Sequence, residues 1–301
     1  MSIEVKNISK TFTSYTIFNR GENHVLNNIN FKIRKGDILG LIGKNGSGKT
    51  TLLKIILNLI EQSSGDVIIS NRPEKYLAYV NSNSRSFFWR ISARDNLLFY
   101  GKLLDLSIQE IDSSIDKLSN EFNVSNILDI PFMKLSSGQM QIFNVIRALL
   151  RQPDYIFLDE PTTSLDLESS NNLLRILKKY LLNRKIPTIW CSHNLDEIDS
   201  VCTKFAVIDN KRFSLLQKDQ FIKIKNQSSH YCFEIKKDDL ININKNFEII
   251  SKFEDSVLIS INNEQSPINE LINFFHKKNI ELISIENKKN MKGFKFDQFF
   301  K

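Results

Sequence analysis

Nowhere does an uninterrupted apolar run approach the ~20 residues that a membrane-spanning helix needs, so the 301-residue chain is read as having no bilayer span. Cysteine is scarce: Cys191, Cys202 and Cys232 are the whole complement. They are dispersed, odd in number and form no Cys-x-x-Cys pair, which argues against a disulfide framework or a zinc site and for reduced thiols. The start, Met1-Ser2-Ile3-Glu4-Val5-Lys6, lacks the apolar core and cleavage pattern of a secretory leader, and a cytoplasmic location is expected. No internal repeat is found. A long basic block with interleaved aromatics is also missing. The net charge is +7 and the pI about 9.1, yet lysines are spread among acids, as where Lys236-Lys237 runs into Asp238-Asp239. Nucleic acid is therefore not expected as a partner.

What is present suits a soluble globular protein with a real core: hydrophobic residues are 41% and charged residues 25%. Short strands are predicted at Ser2–Lys6 and Asn30–Ile33, separated by a polar stretch around Ser14–Asn23. The run Asp37–Ile42 reads as a buried strand, Thr51–Ile60 as a helix and Gly65–Ser70 as a returning strand. From about Asn83 to Arg151 the pattern is mostly helical. Ser92 with Asp95 resembles an N-cap, Ser107 with Glu110 a capping box, and Gln139–Arg151 a helix stopped by Pro153. Apolar strands Tyr155–Leu158, Thr188–Cys191 and Phe205–Ile208 alternate with helices, which predicts a mostly parallel sheet with crossover helices. After about Arg212 the character changes. Strands at Tyr231–Ile235, Val257–Ile261 and Glu281–Ile285 and a helix at Ile268–Lys277 suggest a small α+β appendage.

Two segments carry chemistry. Gly43-Lys44-Asn45-Gly46-Ser47-Gly48-Lys49-Thr50 fits the phosphate-binding pattern G-x-x-x-x-G-K-[ST], with a strand before it and a helix, starting near Lys49 and running through Thr51, after it. Glycines let successive backbone N–H groups turn inward toward phosphate oxygens. Lys49 is expected to reach the β- and γ-phosphates, and the Thr50 hydroxyl to ligate Mg²⁺. Asp159, at the end of an apolar strand, is the second candidate Mg²⁺ ligand. Glu160 is the candidate general base for an attacking water.

Between these segments lies Leu135-Ser136-Ser137-Gly138-Gln139. With it the chain, from about Ile3 to Arg212, resembles the ATP-binding cassette (ABC) ATPases, whose signature is Leu-Ser-Gly-Gly-Gln; Ser137 replaces the first glycine. The resemblance implies a P-loop NTPase of the α/β class, with a RecA-like mostly parallel sheet, an antiparallel β subdomain and an inserted helical subdomain (about 83–151). Residues 1–212 would form the nucleotide-binding domain and 213–301 a small α+β accessory domain, whose ending through Phe294–Phe300 looks like the tail of some exporter ATPases. ATP and Mg²⁺ are the implied cofactors. Ser136 and Gly138 would contact the γ-phosphate of ATP held by a second copy, so a homodimer is implied. Ser164-Leu165-Asp166 resembles the D-loop that touches the partner copy. His193, in Cys191-Ser192-His193, resembles the switch histidine near the γ-phosphate, and Phe12 fits the aromatic that stacks on adenine.

Where the family carries a glutamine after a strand like Tyr76–Val80, this chain reads Asn81-Ser82-Asn83-Ser84. Ser82 is the equivalent, a further candidate for contact with Mg²⁺ through water. The stretch Arg85-Ser86-Phe87-Phe88-Trp89-Arg90-Ile91-Ser92 looks like a bacterial exporter subgroup that also lacks the glutamine. Phe87, Phe88 and Trp89 are either core anchors or part of a docking groove for a membrane subunit. The implied function is ATP hydrolysis energising export through a separate permease, peripherally on the inner face of the cell membrane. Two alternatives stay open here: a non-transport ABC ATPase, and a nucleotide-binding regulatory module with little turnover.

Overall fold

The computed structural model describes residues 1–289 except 17–18, 71–75, 82–85, 228, 243–246, 254, 263–267 and 279. These form two compact units, one from Met1 to Leu216 and one from Gln217 onward. Ser82 and the ending Phe294–Phe300 lie outside the described residues.

The first unit runs β1 (Ser2–Thr16), β2 (Asn19–Arg34), β3 (Ile38–Ile42), α1 (Lys49–Ile56), β4 (Ser64–Ile69), β5 (Leu77–Asn81), α2 (Ala93–Leu103), α3 (Ile108–Glu121), α4 (Ser137–Leu149), β6 (Tyr155–Asp159), α5 (Leu167–Arg184), β7 (Thr188–Cys191), α6 (Leu195–Val201), β8 (Lys204–Asp209) and β9 (Arg212–Leu216). Six strands form one sheet in the order β5-β6-β7-β3-β8-β9. All pair in parallel except β9, which returns antiparallel on β8. That pairing carries the first unit past Arg212 to Leu216. Every residue of β3, β6 and β7 is buried, which explains their continuous apolar runs. Their C-terminal ends align, so the residues that follow each strand meet along one edge of the sheet.

A second, antiparallel sheet has the order β2-β1-β4. Here the structure corrects two sequence expectations. β1 and β2 are long, continuous partners whose ladder extends through Thr11–His24 and Phe12–Asn23, taking in the polar stretch read as a separator. Only the inner half is apolar, with Ile3, Val5, Ile8, Leu26, Ile29, Phe31 and Ile33 buried, so periodicity marked that half alone. α1 also ends earlier than Ile60: Asn58 turns left-handed at φ 56°, and the Leu59 N–H closes back on the Lys54 carbonyl at 2.8 Å. Buried side chains of both sheets and of α1 share one core that includes Val5, Leu39, Leu53 and Phe157.

Among the helices, Ser92 caps α2, and Ser107 with Glu110 forms the capping box of α3. The second unit comprises α7 (Lys218–Gln227), β10 (Ser229–Lys236), β11 (Phe247–Lys252), β12 (Ser256–Asn262), α8 (Ile268–Lys277) and β13 (Leu282–Lys289). Its antiparallel sheet has the order β11-β12-β10-β13. Phe275 of α8 packs on Phe233, Ile235, Val257 and Ile259. β11 and α7 had no counterpart in the sequence reading, because neither carries a clean apolar period.

One buried carboxylate ties together the segments at the sheet edge. Glu197, on the first turn of α6, is 2% exposed. Its Oε1 accepts from Trp190 Nε1 at 2.7 Å, and its Oε2 from Thr162 Oγ1 at 2.8 Å and Ser192 Oγ at 2.9 Å. Burial pushes its pKa up, against the three donors, which pull it down. The turn after β6 and the turn after β7 therefore hang on the same carboxyl. Glu197→Ala leaves three donors unpaired and is expected to cost on the order of 3 kcal/mol. Urea unfolding followed by tryptophan fluorescence measures this; a loss below about 0.5 kcal/mol would mean the carboxyl is not a structural tie.

Candidate functional site

β3 delivers the chain into the glycine loop at Gly43, which is buried against Ile208. Gly46 and Gly48 adopt φ +80° and +107°, the left-handed region that side chains disfavour. At Gly48 a Cβ would also lie 2.8 Å from Leu26 Cδ2. No side chain caps α1 at this glycine, so the first N–H groups of the helix remain available for an anion. Lys49 is 6% exposed and folds over the loop, its Nζ donating to the Gly43 carbonyl at 2.7 Å and the Lys44 carbonyl at 3.3 Å. The loop borders a cleft of about 380 Å³, lined by Phe12, Asn23, Val25, Asn45 through Thr51, Asp159 and Glu160. Phe12, half exposed, carries Lys10 Nζ 4.8 Å above its ring.

At the end of β6, Asp159 is 7% exposed. Its Oδ2 accepts from Thr50 Oγ1 at 2.7 Å and from the Tyr79 hydroxyl at 3.0 Å. Glu160 follows with φ 53°. Its Oε2 lies 2.7 Å from His193 Nδ1 and accepts from Thr163 Oγ1 at 3.0 Å; its Oε1 is 4.0 Å from Lys49 Nζ. Burial raises the Glu160 pKa, but the His193 hydrogen bond and the charges of His193 and Lys49 outweigh it and hold the carboxyl below its ordinary 4.5. The same hydrogen bond raises His193 above its ordinary 6.5, against burial. Among the described residues, the buried side-chain oxygens without a hydrogen-bond partner are Ser47 Oγ, Asp159 Oδ1 and Glu160 Oε1. All three residues line the cleft, and such groups clustered in one place mark where a polar ligand completes the bonding.

The donor set fits a hard cation. A hydroxyl and a carboxylate are oxygen ligands of the kind Mg²⁺ takes together with phosphate oxygens. Among the described residues no group of three or more His, Cys, Asp or Glu forms a metal cage.

Leu135–Gln139 and Ser164–Asp166 do not line this chain's own cleft. Leu135 is buried, whereas Ser136 and Ser137 are exposed. Ser136 caps α4: its Oγ accepts from the Gln139 N–H at 3.2 Å, and its own N–H donates to Gln139 Oε1 at 2.9 Å. Gly138 is buried against α5, where a Cβ would stand 2.6 Å from Ser169 Oγ. Asp166 in turn caps α5 by accepting from Ser169 N and Oγ at 2.9 and 2.7 Å. Ser164 and Asp166 are exposed and Leu165 half-buried.

The aromatic stretch divides. Phe87 is a core anchor, stacked on Phe132 with centroids 4.3 Å apart. Phe88 and Trp89 are 49% and 47% exposed, and Phe88 meets Phe99 of α2 edge-on at 5.0 Å. Sequence reasoning missed the polar groups behind the site. Gln141 Nε2 and Asn144 Nδ2 donate to the Asn81 carbonyl at 3.0 and 2.7 Å. Arg147 lies between Phe87 and Tyr100 and donates to Ser86 Oγ at 2.5 Å. The spacing Gln141, Asn144, Arg147 on an otherwise apolar helix was the available signal.

Comparison with known proteins agrees with this geometry. The family model described as ABC transporter matches residues 26–163. The chain is 31% identical to the ABC transporter ATP-binding protein NatA of Bacillus subtilis, over 60% of this chain and 76% of that one. It is 31% identical to HrtA of Staphylococcus saprophyticus, named for hemin import, over 64% and 90%. It is 28% identical to the Nod factor export ATP-binding protein I of Sinorhizobium fredii, over 70% and 61%. In fold it resembles cbiO1 from Clostridium perfringens, part of an ABC transporter complex, with a TM-score of 0.63 at 21% identity over 74% and 89%. With a relative 31% identical and covered over 90% of its length, and a family model matching the segment that holds the glycine loop and the acidic strand end, the chain belongs to the ATP-binding proteins of the ABC transporter family.

Proposed function

We propose that two copies of this ATPase close on two ATP molecules, each held by Gly43–Thr50 of one copy and covered by Ser136–Gln139 of the other. The observation that carries this reading is the division of the site: the unpartnered oxygens converge on one cleft, while the signature presents exposed polar groups outside it. Phe12 stacks on adenine, and the loop N–H groups with the start of α1 hold the phosphates. Lys49 exchanges the Gly43 carbonyl for β- and γ-phosphate oxygens. Thr50 and Asp159 would hold Mg²⁺, which neutralises charge on the phosphates during transfer. Glu160 accepts a proton from the attacking water. In the structure its Oε2 is engaged by His193; a γ-phosphate competes for that imidazole and leaves the carboxylate to the water.

Half-exposed Phe88, Trp89 and Phe99, with exposed Leu103, form an apolar surface that suits a helix of a membrane permease. No helix of the described residues is long and apolar enough to cross a membrane itself. We place the chain on the cytoplasmic face of the membrane, bound to that permease. Export is favoured by the Arg85–Ser92 stretch and by the Nod factor relative; HrtA carries the opposite name, so transport assays with the co-purified permease decide direction.

Glu160→Gln should bind ATP normally, slow phosphate release by roughly 10²-fold or more, and accumulate as an ATP-bound dimer in gel filtration. Wild-type turnover in that variant would remove Glu160 from its role. Ser136→Arg should retain ATP binding to the isolated chain but lose hydrolysis; full activity argues against a site shared between copies. Without nucleotide, NMR titration should place His193 above 6.5 and move it down in Glu160→Gln. With His193 raised and Glu160 lowered, the pair stabilises the fold fully between about 4.5 and 6.5. The contribution is lost as pH rises through the His193 value or falls through that of Glu160. A His193 titration at or below 6.5 means the pair does not persist in solution.

A further inference from the structure

Asp159 presents two unlike oxygens to its surroundings. Oδ2 accepts two hydroxyl donors, Thr50 Oγ1 at 2.7 Å and Tyr79 OH at 3.0 Å, and each carboxylate oxygen has room for about two. Oδ1 is buried and has no partner. The donors come from opposite sides. Thr50 belongs to α1, whereas Tyr79 reaches across from β5, the neighbour of β6 in the sheet.

The strand that carries Tyr79 is itself held in place. Tyr79 and Asn81 share one face of β5. The Asn81 carbonyl is gripped by Gln141 and Asn144 of α4. A tyrosine hydroxyl carries its proton at neutral pH and so serves as the donor in this contact. Thr50 alone would leave the carboxylate free to swing about its terminal torsion, which is broad for Asp. Two donors from two elements fix it.

We propose that Tyr79 is a positioning residue that locks the Asp159 carboxylate, so that Oδ1 and not Oδ2 faces a divalent cation bound with nucleotide. This rests on the reading of Asp159 as a residue that holds the cation. It gives a role at the site to an element, β5, that contributes no residue to the cleft lining. The donor is a neutral hydroxyl, so its loss leaves charge, side-chain volume and ring packing intact.

The experiment uses the full chain as wild type, Y79F and D159N, with Mn²⁺ as the probe and a non-hydrolysable ATP analogue at saturation. Bound Mn²⁺ is counted by electron paramagnetic resonance, and analogue affinity is measured separately in EDTA by calorimetry. Y79F should weaken Mn²⁺ by about tenfold, the loss typical of one hydrogen bond to a charged group, with analogue affinity in EDTA unchanged. D159N should lose Mn²⁺ far more. Wild-type Mn²⁺ affinity in Y79F, alongside a defective D159N, overturns the proposal and leaves the cation site standing. An equal loss of analogue affinity in EDTA also overturns it, because the effect is then on the fold of the loop. If D159N binds Mn²⁺ as wild type does, the reading of Asp159 fails first and the proposal with it.

Discussion

A carboxylate at the end of an apolar strand is costly unless its oxygens are occupied, and the first unit is organised around that demand. Asp159 follows four buried side chains of β6 and is itself nearly enclosed. Thr50 and Tyr79 fill one oxygen from α1 and β5, leaving the other for a ligand. To bring both donors within reach, β5 must flank β6 and the glycine loop must return α1 over the sheet edge. The parallel order around β6, β7 and β3 meets both conditions. Glu197 repeats the solution one layer back, where three donors surround a buried carboxyl and align the turns that carry Glu160 and His193.

Much of this was legible in the residues. The loop, the acidic strand end and the signature each announce themselves because their chemistry needs fixed residue types at fixed spacing. The buried strands were legible because a strand covered on both faces is apolar throughout. The outer halves of β1 and β2 were not: Thr11–Thr16 and Asn19–His24 carry no apolar alternation, and their pairing continues the inner ladder outward. Tyr79 and Glu197 were invisible for a different reason. An aromatic inside a strand and an acid on a helix are ordinary in sequence, and only the fold aims their polar ends at Asp159, Trp190, Thr162 and Ser192. Of the three aromatics Phe87–Trp89, Phe87 turns inward as a core anchor and its two neighbours turn outward.

The acidic strand end and the signature are kept apart in space. Glu160, which lines the cleft, is paired with His193, while the signature lies outside it on a helix start whose side chains cap one another. A helix N-terminus already satisfied by Ser136 and Gln139 is stable when exposed, yet still directs its dipole outward. The partial positive charge of this helix start therefore remains turned toward solvent.

α4 joins these regions mechanically. At 1.5 Å per residue it spans about 20 Å, with Ser136 before its first turn and Arg147 in its last. Along that length, Gln141 and Asn144 hold Asn81, and Arg147 holds Ser86. The helix is thus a rigid lever with two fulcra on either side of residues 82–85. The exposed aromatics Phe88 and Trp89 follow directly on Ser86, the residue that Arg147 holds. In the proposed dimer, a contact at Ser136 and a contact at Trp89 would therefore meet at the two ends of one helix.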